Sequence, residues 1–149
     1  MKAINKVSSL NKSELSKLID LDKHYFPYPW SLDSWKTLDL NHNSLFLLKF
    51  NAEIVGFGLF YAVDGLDTAH LLKICLRPEF RGKGMANTFL FEMLKDISSH
   101  GFKEAYLEVN SLNLAAINLY NRNGFQKVHF QKNFYGAGQH ALKMVSSLI

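Results

Sequence analysis

The chain contains a single cysteine, Cys75, so it can form no internal disulfide and no cysteine-rich zinc site, and it suits a reducing compartment. Its six histidines are scattered, with no HExxH or His-x-x-His pair, so no metal is expected. Long apolar runs are missing too. The longest, Ile54 to Val63, is interrupted by Gly56 and Gly58 and falls well short of the ~18–20 residues that span a bilayer. Residues 1–14 carry lysines but no apolar stretch of the signal-peptide kind. Three prolines, no Ser/Gly-rich linker and no internal repeat argue against a linker-divided, collagen-like or solenoid chain. The expectation is a soluble, cytoplasmic protein without a membrane partner.

What is present is apolar bulk. Hydrophobic residues make up 48% of the 149, including twelve Phe, six Tyr and two Trp, enough for one domain spanning 1–149. At this length folding hides roughly 70% of the unfolded surface, so neither disulfide nor metal is needed for stability. The 17 Lys+Arg against 13 Asp+Glu give a net charge of +4. Four of the cations, Lys73, Arg77, Arg81 and Lys83, lie within one short stretch beside a single acid, Glu79. A cluster on one loop points to a local anionic ligand and argues against nucleic acid, which needs a basic stripe.

Periodicity supplies the elements. Ser13 with Leu15, Leu18, Ile19 and Leu21 predicts a capped amphipathic helix that stops before Pro27 and Pro29, and a second short helix starts at Ser31. Leu45–Phe50 and Ile54–Val63 are strand-like around a turn at residues 51–53, and Ala69–Leu76 follows. Ala86, Phe89, Leu90, Met93, Leu94 and Ile97 recur at three- and four-residue steps, predicting a helix that ends before Gly101. Ala105–Asn110 alternates, Asn113 caps a helix that Gly124 stops, and strands Phe125–Gln131 and Ala141–Val145 flank a loop over residues 133–140. The order is strand, two helices, three strands, helix, strand, helix, two strands. A strand, a four-turn helix and a strand in succession imply one parallel pair within an otherwise antiparallel sheet, an α+β fold.

The junction before the long helix reads Arg81-Gly82-Lys83-Gly84-Met85-Ala86-Asn87. Its glycines let backbone approach a ligand, and the helix start offers free N–H groups to an anion, although an ordinary βα turn reads the same way. It is neither a Walker loop nor a Rossmann fingerprint.

These residues resemble the Q/R-x-x-G-x-G/A motif of the GNAT N-acetyltransferases. A second stretch, Leu107-Glu108-Val109 with Asn113, Ala116, Leu119-Tyr120 and Gly124-Phe125, is similar to that family's LEV…N-x-x-A-x-x-LY-x-x-x-GF segment. Pro29-Trp30-Ser31 and Asn133-Phe134-Tyr135 extend the likeness, over nearly the whole chain, to the Rim-type ribosomal-protein-alanine N-acetyltransferases. Asn110, Leu112 and Ala86 depart from that branch, where Arg, Ser and Gly are usual. The resemblance implies a GNAT fold: a mixed, mostly antiparallel seven-stranded sheet with a parallel split pair and about four helices. It implies acetyl-coenzyme A as cosubstrate, its pantetheine arm along Ile74, Cys75 and Leu76, its pyrophosphate on the amides near Arg81, Gly82, Lys83, Gly84, Met85, Ala86 and Asn87, and a further contact at Asn113. It implies Glu108 as general base, Tyr120 as general acid, and an acceptor slot bordered by Tyr28, Trp30 and Tyr135.

Pattern alone reads four of these residues differently. Alternation puts Tyr106, Glu108 and Asn110 on one face of a strand, where a glutamate can simply be solvated. Tyr120 sits at a core spacing from Ile117, Asn113 serves equally as a helix cap, and Cys75 reads as inert packing. The expected function is acetyl transfer to a protein N-terminal α-amine, the alanine of a small-subunit ribosomal protein, with a small-amine or antibiotic acetyltransferase and a silent acyl-coenzyme A-binding regulator as alternatives.

Overall fold

Seven strands and four helices make up the computed structural model, which describes residues 1–148. In chain order they are β1 (Lys2–Lys6), α1 (Lys12–Tyr25), α2 (Leu32–Lys36), β2 (Asn43–Phe50), β3 (Glu53–Tyr61), β4 (Thr68–Leu76), α3 (Met85–Ser99), β5 (Glu104–Asn110), α4 (Leu114–Arg122), β6 (Gln126–Gly136) and β7 (Gln139–Ser147). The sheet order is β1-β2-β3-β4-β5-β7-β6, and β4–β5 is the parallel pair. The α+β architecture expected from the sequence is the one observed.

The sheet is covered on both faces. One core joins Phe89, Leu90, Met93 and Ile97 of α3 to Phe46, Leu48, Phe60 and Leu107 of the strands. The other joins Leu18 and Leu21 of α1 and Trp35 of α2 to Leu45, Leu47, Phe57 and Leu59. Burial on both sides explains why β2 reads as a continuous apolar run rather than an alternation. Each such side chain contributes about 1.5–3 kcal/mol by leaving water. Gly58 leaves the room that the Met93 thioether fills, so α3 lies close to β3.

Several boundaries move. Helix α1 is capped by Asn11 rather than Ser13: Asn11 Oδ1 accepts from the Glu14 N–H at 2.8 Å and Glu14 returns a bond to the Asn11 N–H. This reciprocal pair satisfies two helix-end donors at once, which a lone serine cannot. The stretch 133–140 is no open loop. Strands β6 and β7 run almost to their turn, and β6 carries extra residues where the register jumps from Gln131↔Ala141 to Gly136↔Gln139. Asn133 takes a positive φ of 58° there, and its side chain accepts from the Gly138 N–H at 2.8 Å. The Asn133–Tyr135 segment therefore flares off the hairpin.

Candidate active site

Pairing between β4 and β5 stops at His70↔Tyr106. On the β3 side the register steps from Leu59↔Lys73 to Phe60↔Leu71, which leaves Leu72 as an extra residue on β4. A bulge bends its strand. Beyond it residues 71–76 of β4 and 107–110 of β5 have no pairing with each other, and a wedge opens in mid-sheet. The Arg77 N–H donates to the Val55 carbonyl, so alternation turns the Cys75 backbone toward β3 and the Ile74 and Leu76 groups into the wedge. Of residues 74–76, Ile74 and Leu76 thus turn backbone toward a ligand and Cys75 does not, and of the Leu76 groups only the N–H is free, because the carbonyl accepts from Arg81.

The mouth of the wedge meets the start of α3. Gly82 and Gly84 have φ of 74° and 77°, values that L side chains rarely adopt, and a Cβ on either would meet nothing within 4 Å. Gly84 is the N-cap and contributes no side chain, and the first intrahelical bond runs from the Thr88 N–H to the Gly84 carbonyl. The amides of Met85, Ala86 and Asn87 are left for a ligand, with no acid in the first turn. Loop, free amides and helix dipole together fit a pyrophosphate.

The cation cluster read from the sequence separates in space. Lys73 is buried on the α1 side, 2.6 Å from Asp22 and far from a phosphate role. Arg77 is held by Glu53 and Glu79 at 2.7 and 2.6 Å. Arg81 donates from Nε to the Leu76 carbonyl at 2.8 Å and lies over the Tyr25 ring, bracing the loop against β4. Among the described residues, neither Arg81 nor Lys83 has a carboxylate partner, and with Arg81 engaged on the Leu76 carbonyl, Lys83 is the cation of this group left without a side-chain hydrogen bond. Asn87 Oδ1 accepts from Asn123 at 2.9 Å, and Asn113 caps α4 by accepting from the Ala116 N–H at 3.2 Å.

Glu108 lies on β5 beside the wedge, on the α1/α2 face. Its alternation partners Leu107 and Val109 are buried in the α3 core, while Tyr106, Glu108 and Asn110 are half-buried. Glu108 Oε1 lies 2.9 Å from Nε2 of His70, and the His70 ring stacks on Tyr106 with centroids 4.2 Å apart. Tyr120 is buried against Phe125 in an edge-on contact. Burial first, then the neighbouring Tyr135 phenol, pushes the Tyr120 phenol well above the ordinary tyrosine value, so it keeps its proton. Burial, then Glu108, then Tyr28 raise Tyr135. Electrostatically, Tyr135 stands between Tyr120 and Glu108.

The flared segment of β6 brings Tyr135 onto Tyr28. Their rings stack at 5.9 Å and the Tyr28 hydroxyl donates to the Tyr135 carbonyl at 3.3 Å. Trp30 is not part of this pair. Its ring packs on Trp35 at 5.1 Å and lies near the Lys73 ammonium, and its N–H donates to Asp22 Oδ2 at 2.8 Å. Asp22, wholly buried, also accepts from Trp35 Nε1 at 2.8 Å, so one carboxylate ties α1, α2, the 26–30 loop and β4 together. Cys75 is buried and its thiol is pushed up to about 12, chiefly by desolvation. It is no nucleophile.

Sequence reasoning passed over His70 and Asp22, and it counted Lys73 with the loop's cations, whereas the structure pairs it with Asp22. No group of metal-ligating side chains occurs among the described residues, and no helix there is long and apolar enough to cross a membrane.

Known proteins resemble this chain in sequence and in fold. The model of the Acetyltransferase (GNAT) family matches residues 15–125. A ribosomal protein bS18-alanine N-acetyltransferase of Haemophilus influenzae is 30% identical over 132 residues, which are 87% of this chain and 86% of that protein. The crystal structure of the ribosomal-protein-S18-alanine N-acetyltransferase from Escherichia coli matches with a TM-score of 0.86 at 24% identity, over 99% of this chain and 94% of the other. An aminoglycoside 6'-N-acetyltransferase solved with coenzyme A reaches 0.85 at 15% identity, over 99% and 97%, a likeness of fold alone.

Proposed function

The chain belongs to the GNAT acetyltransferase family, and from that premise we propose that it acetylates the N-terminal α-amine of a protein, the alanine of a small-subunit ribosomal protein. Acetyl-coenzyme A supplies the activated acetyl group as a thioester. The amides of residues 85–87, with Lys83, hold its pyrophosphate, and the backbone of Ile74 and Leu76 receives its pantetheine arm as an added strand. The Leu76 N–H donates to the thioester oxygen and stabilises the charge that grows there.

Glu108 accepts the proton that the α-amine loses as its nitrogen bonds the acetyl carbon. An α-amine titrates near about 7.7–8.0, so the base has less to do than it would for a lysine near about 10.4. Tyr120 returns a proton to the sulfur as the C–S bond breaks. Its phenol, held protonated by burial, has a proton to give at neutral pH, and the same burial makes it a weaker acid than the thiol it forms, which titrates at about 8.5.

The observation that carries the acceptor reading is the Tyr28–Tyr135 stack, close enough to Glu108 for its charge to act on the Tyr135 phenol; an aromatic border of this kind suits an extended chain end with a small first residue. The curated relative's acceptor, a ribosomal-protein alanine, supports the same choice. A panel of peptides with acetyl-coenzyme A, followed by mass spectrometry of the termini, tests it. Ala-first peptides should outrun Leu-first peptides and free amino acids. A polyamine, an aminoglycoside or a lysine side chain that outruns every Ala-first peptide refutes it in favour of a small-amine acceptor, and a protein that binds acetyl-coenzyme A but releases no coenzyme A with any acceptor is a silent binder.

A further inference from the structure

We propose that His70 is a positioning residue for Glu108, fixing which carboxylate oxygen meets the acceptor amine; the inference rests on Glu108 being the base. The two residues are diagonal neighbours across the last paired step of β4 and β5, since His70 is in register with Tyr106 and Glu108 lies two residues further on the same face. Nε2 of His70 is 2.9 Å from Glu108 Oε1, and with the proton on Nε2 the imidazole donates. Among the described residues Oε1 has this one partner and Oε2 has none, so Oε2 is the oxygen left for the amine or for one intervening water.

The imidazole is itself held in place. Its ring lies nearly parallel to Tyr106, at 13° and 4.2 Å, and its side chain is 22% exposed. Tyr61 of β3 is its register partner on the other flank. Glutamate has three rotatable bonds, and a proton acceptor must come within about 2.6–3.2 Å of its target, so an unanchored Glu108 would spend much of its time out of range.

A competing partner is close by. Lys143 is the cross-strand neighbour of Glu108 on β7, yet it makes no ion pair with it; its ammonium sits over the Tyr106 ring at 4.8 Å from the centroid. Tyr106 thus carries His70 stacked on it and a cation over its face. A carboxylate released from His70 has Lys143 to turn to, and an ammonium partner makes it a weaker base. His70 therefore keeps the base aimed at the wedge and away from β7.

The test uses the intact protein with an Ala-first peptide. His70→Phe keeps a ring on Tyr106 and removes the donor; it should lower kcat about tenfold or more, in line with loss of a charge-assisted hydrogen bond, while KM for acetyl-coenzyme A and the melting temperature hold. His70→Gln, whose amide N–H can reach Oε1, should stay within about threefold of the parent. His70→Phe added to Glu108→Gln should cost nothing further, because the residue acts through that carboxylate. The proposal is overturned if His70→Phe runs at the parental kcat while Glu108→Gln is slow, if His70→Gln is as slow as His70→Phe, or if the double variant is additive. A Glu108→Gln protein as fast as the parent overturns the assignment of the base, and this inference with it.

Discussion

Replacing Lys73 with methionine removes one charge of a pair that water hardly touches, the two side chains being 5% and 1% exposed. Asp22 keeps the Trp30 N–H and the Trp35 indole N–H but loses its only cation, and contacts of that cation with the Phe26 and Trp30 rings go too. Breaking a buried pair from one side costs about 3–5 kcal/mol. At about 2–4 °C per kcal/mol for a chain of this size, the melting temperature should fall by roughly 6–20 °C. Asp22→Asn added to Lys73→Met leaves no uncompensated charge, and the asparagine oxygen can still accept from both tryptophan donors. The double variant should recover more than half of the loss. Thermal unfolding followed by far-ultraviolet circular dichroism reads all three proteins. A single variant within about 2 °C of the parent, or a double variant no better than the single, would show that the pair is not what holds the 26–30 loop to β4.

Glu108→Gln should slow acetylation of an Ala-first peptide by about 10²–10⁴-fold near neutral pH, and by progressively less as solvent deprotonates the amine; equal loss across the pH range would reassign Glu108 to packing. Tyr120→Phe should lower kcat with cofactor affinity unchanged. Because burial pushes its phenol upward, the donor form persists as pH rises, and the parent should show no basic limb from this group below about pH 10. Acetyl-coenzyme A at 100 times its dissociation constant should stabilise the parent by about 2.7 kcal/mol, and Lys83→Glu or Gly84→Val should diminish that shift in a thermal assay. Cys75, buried and with its titration near about 12, should resist iodoacetamide at pH 8 in the folded protein and react after unfolding.

Features that depend on near neighbours in the chain were legible before any fold was known. The Gly82–Gly84 turn, the Asn113 cap and the outward register of Glu108 each follow from a few consecutive residues. What stayed hidden depends on which strands meet. His70 pairs with Glu108 across 38 positions and Lys73 with Asp22 across 51, and no periodicity reports such separations. Lys73 shows the cost: counted along the chain it belongs to the loop's cations, whereas strand geometry turns it to the opposite face. The flare at Asn133 was hidden because β6 is exposed along nearly its whole length, so no apolar alternation marked where pairing lapses. At the start of α1 two capping residues compete, and only the reach of Glu14 back to Asn11 decides between them.

The single additional residue at Leu72 also gives the molecule an unusual kind of border. A sheet ordinarily ends at two outer strands, yet here two inner strands each have a bare margin, and a bare margin invites pairing by foreign strands. This one is recessed between covered faces, so a slim, amide-bearing chain fits where a folded protein's edge does not. The same strand is therefore two-sided in its protection. Amides of Lys73 and Cys75, turned toward β3, should exchange with solvent deuterium only as slowly as the core opens, whereas those of Ile74 and Leu76 should exchange at rates closer to a loop's. A guest that lies along the margin would make neighbouring amides alike, so that successive residues of one strand report whether the wedge is filled.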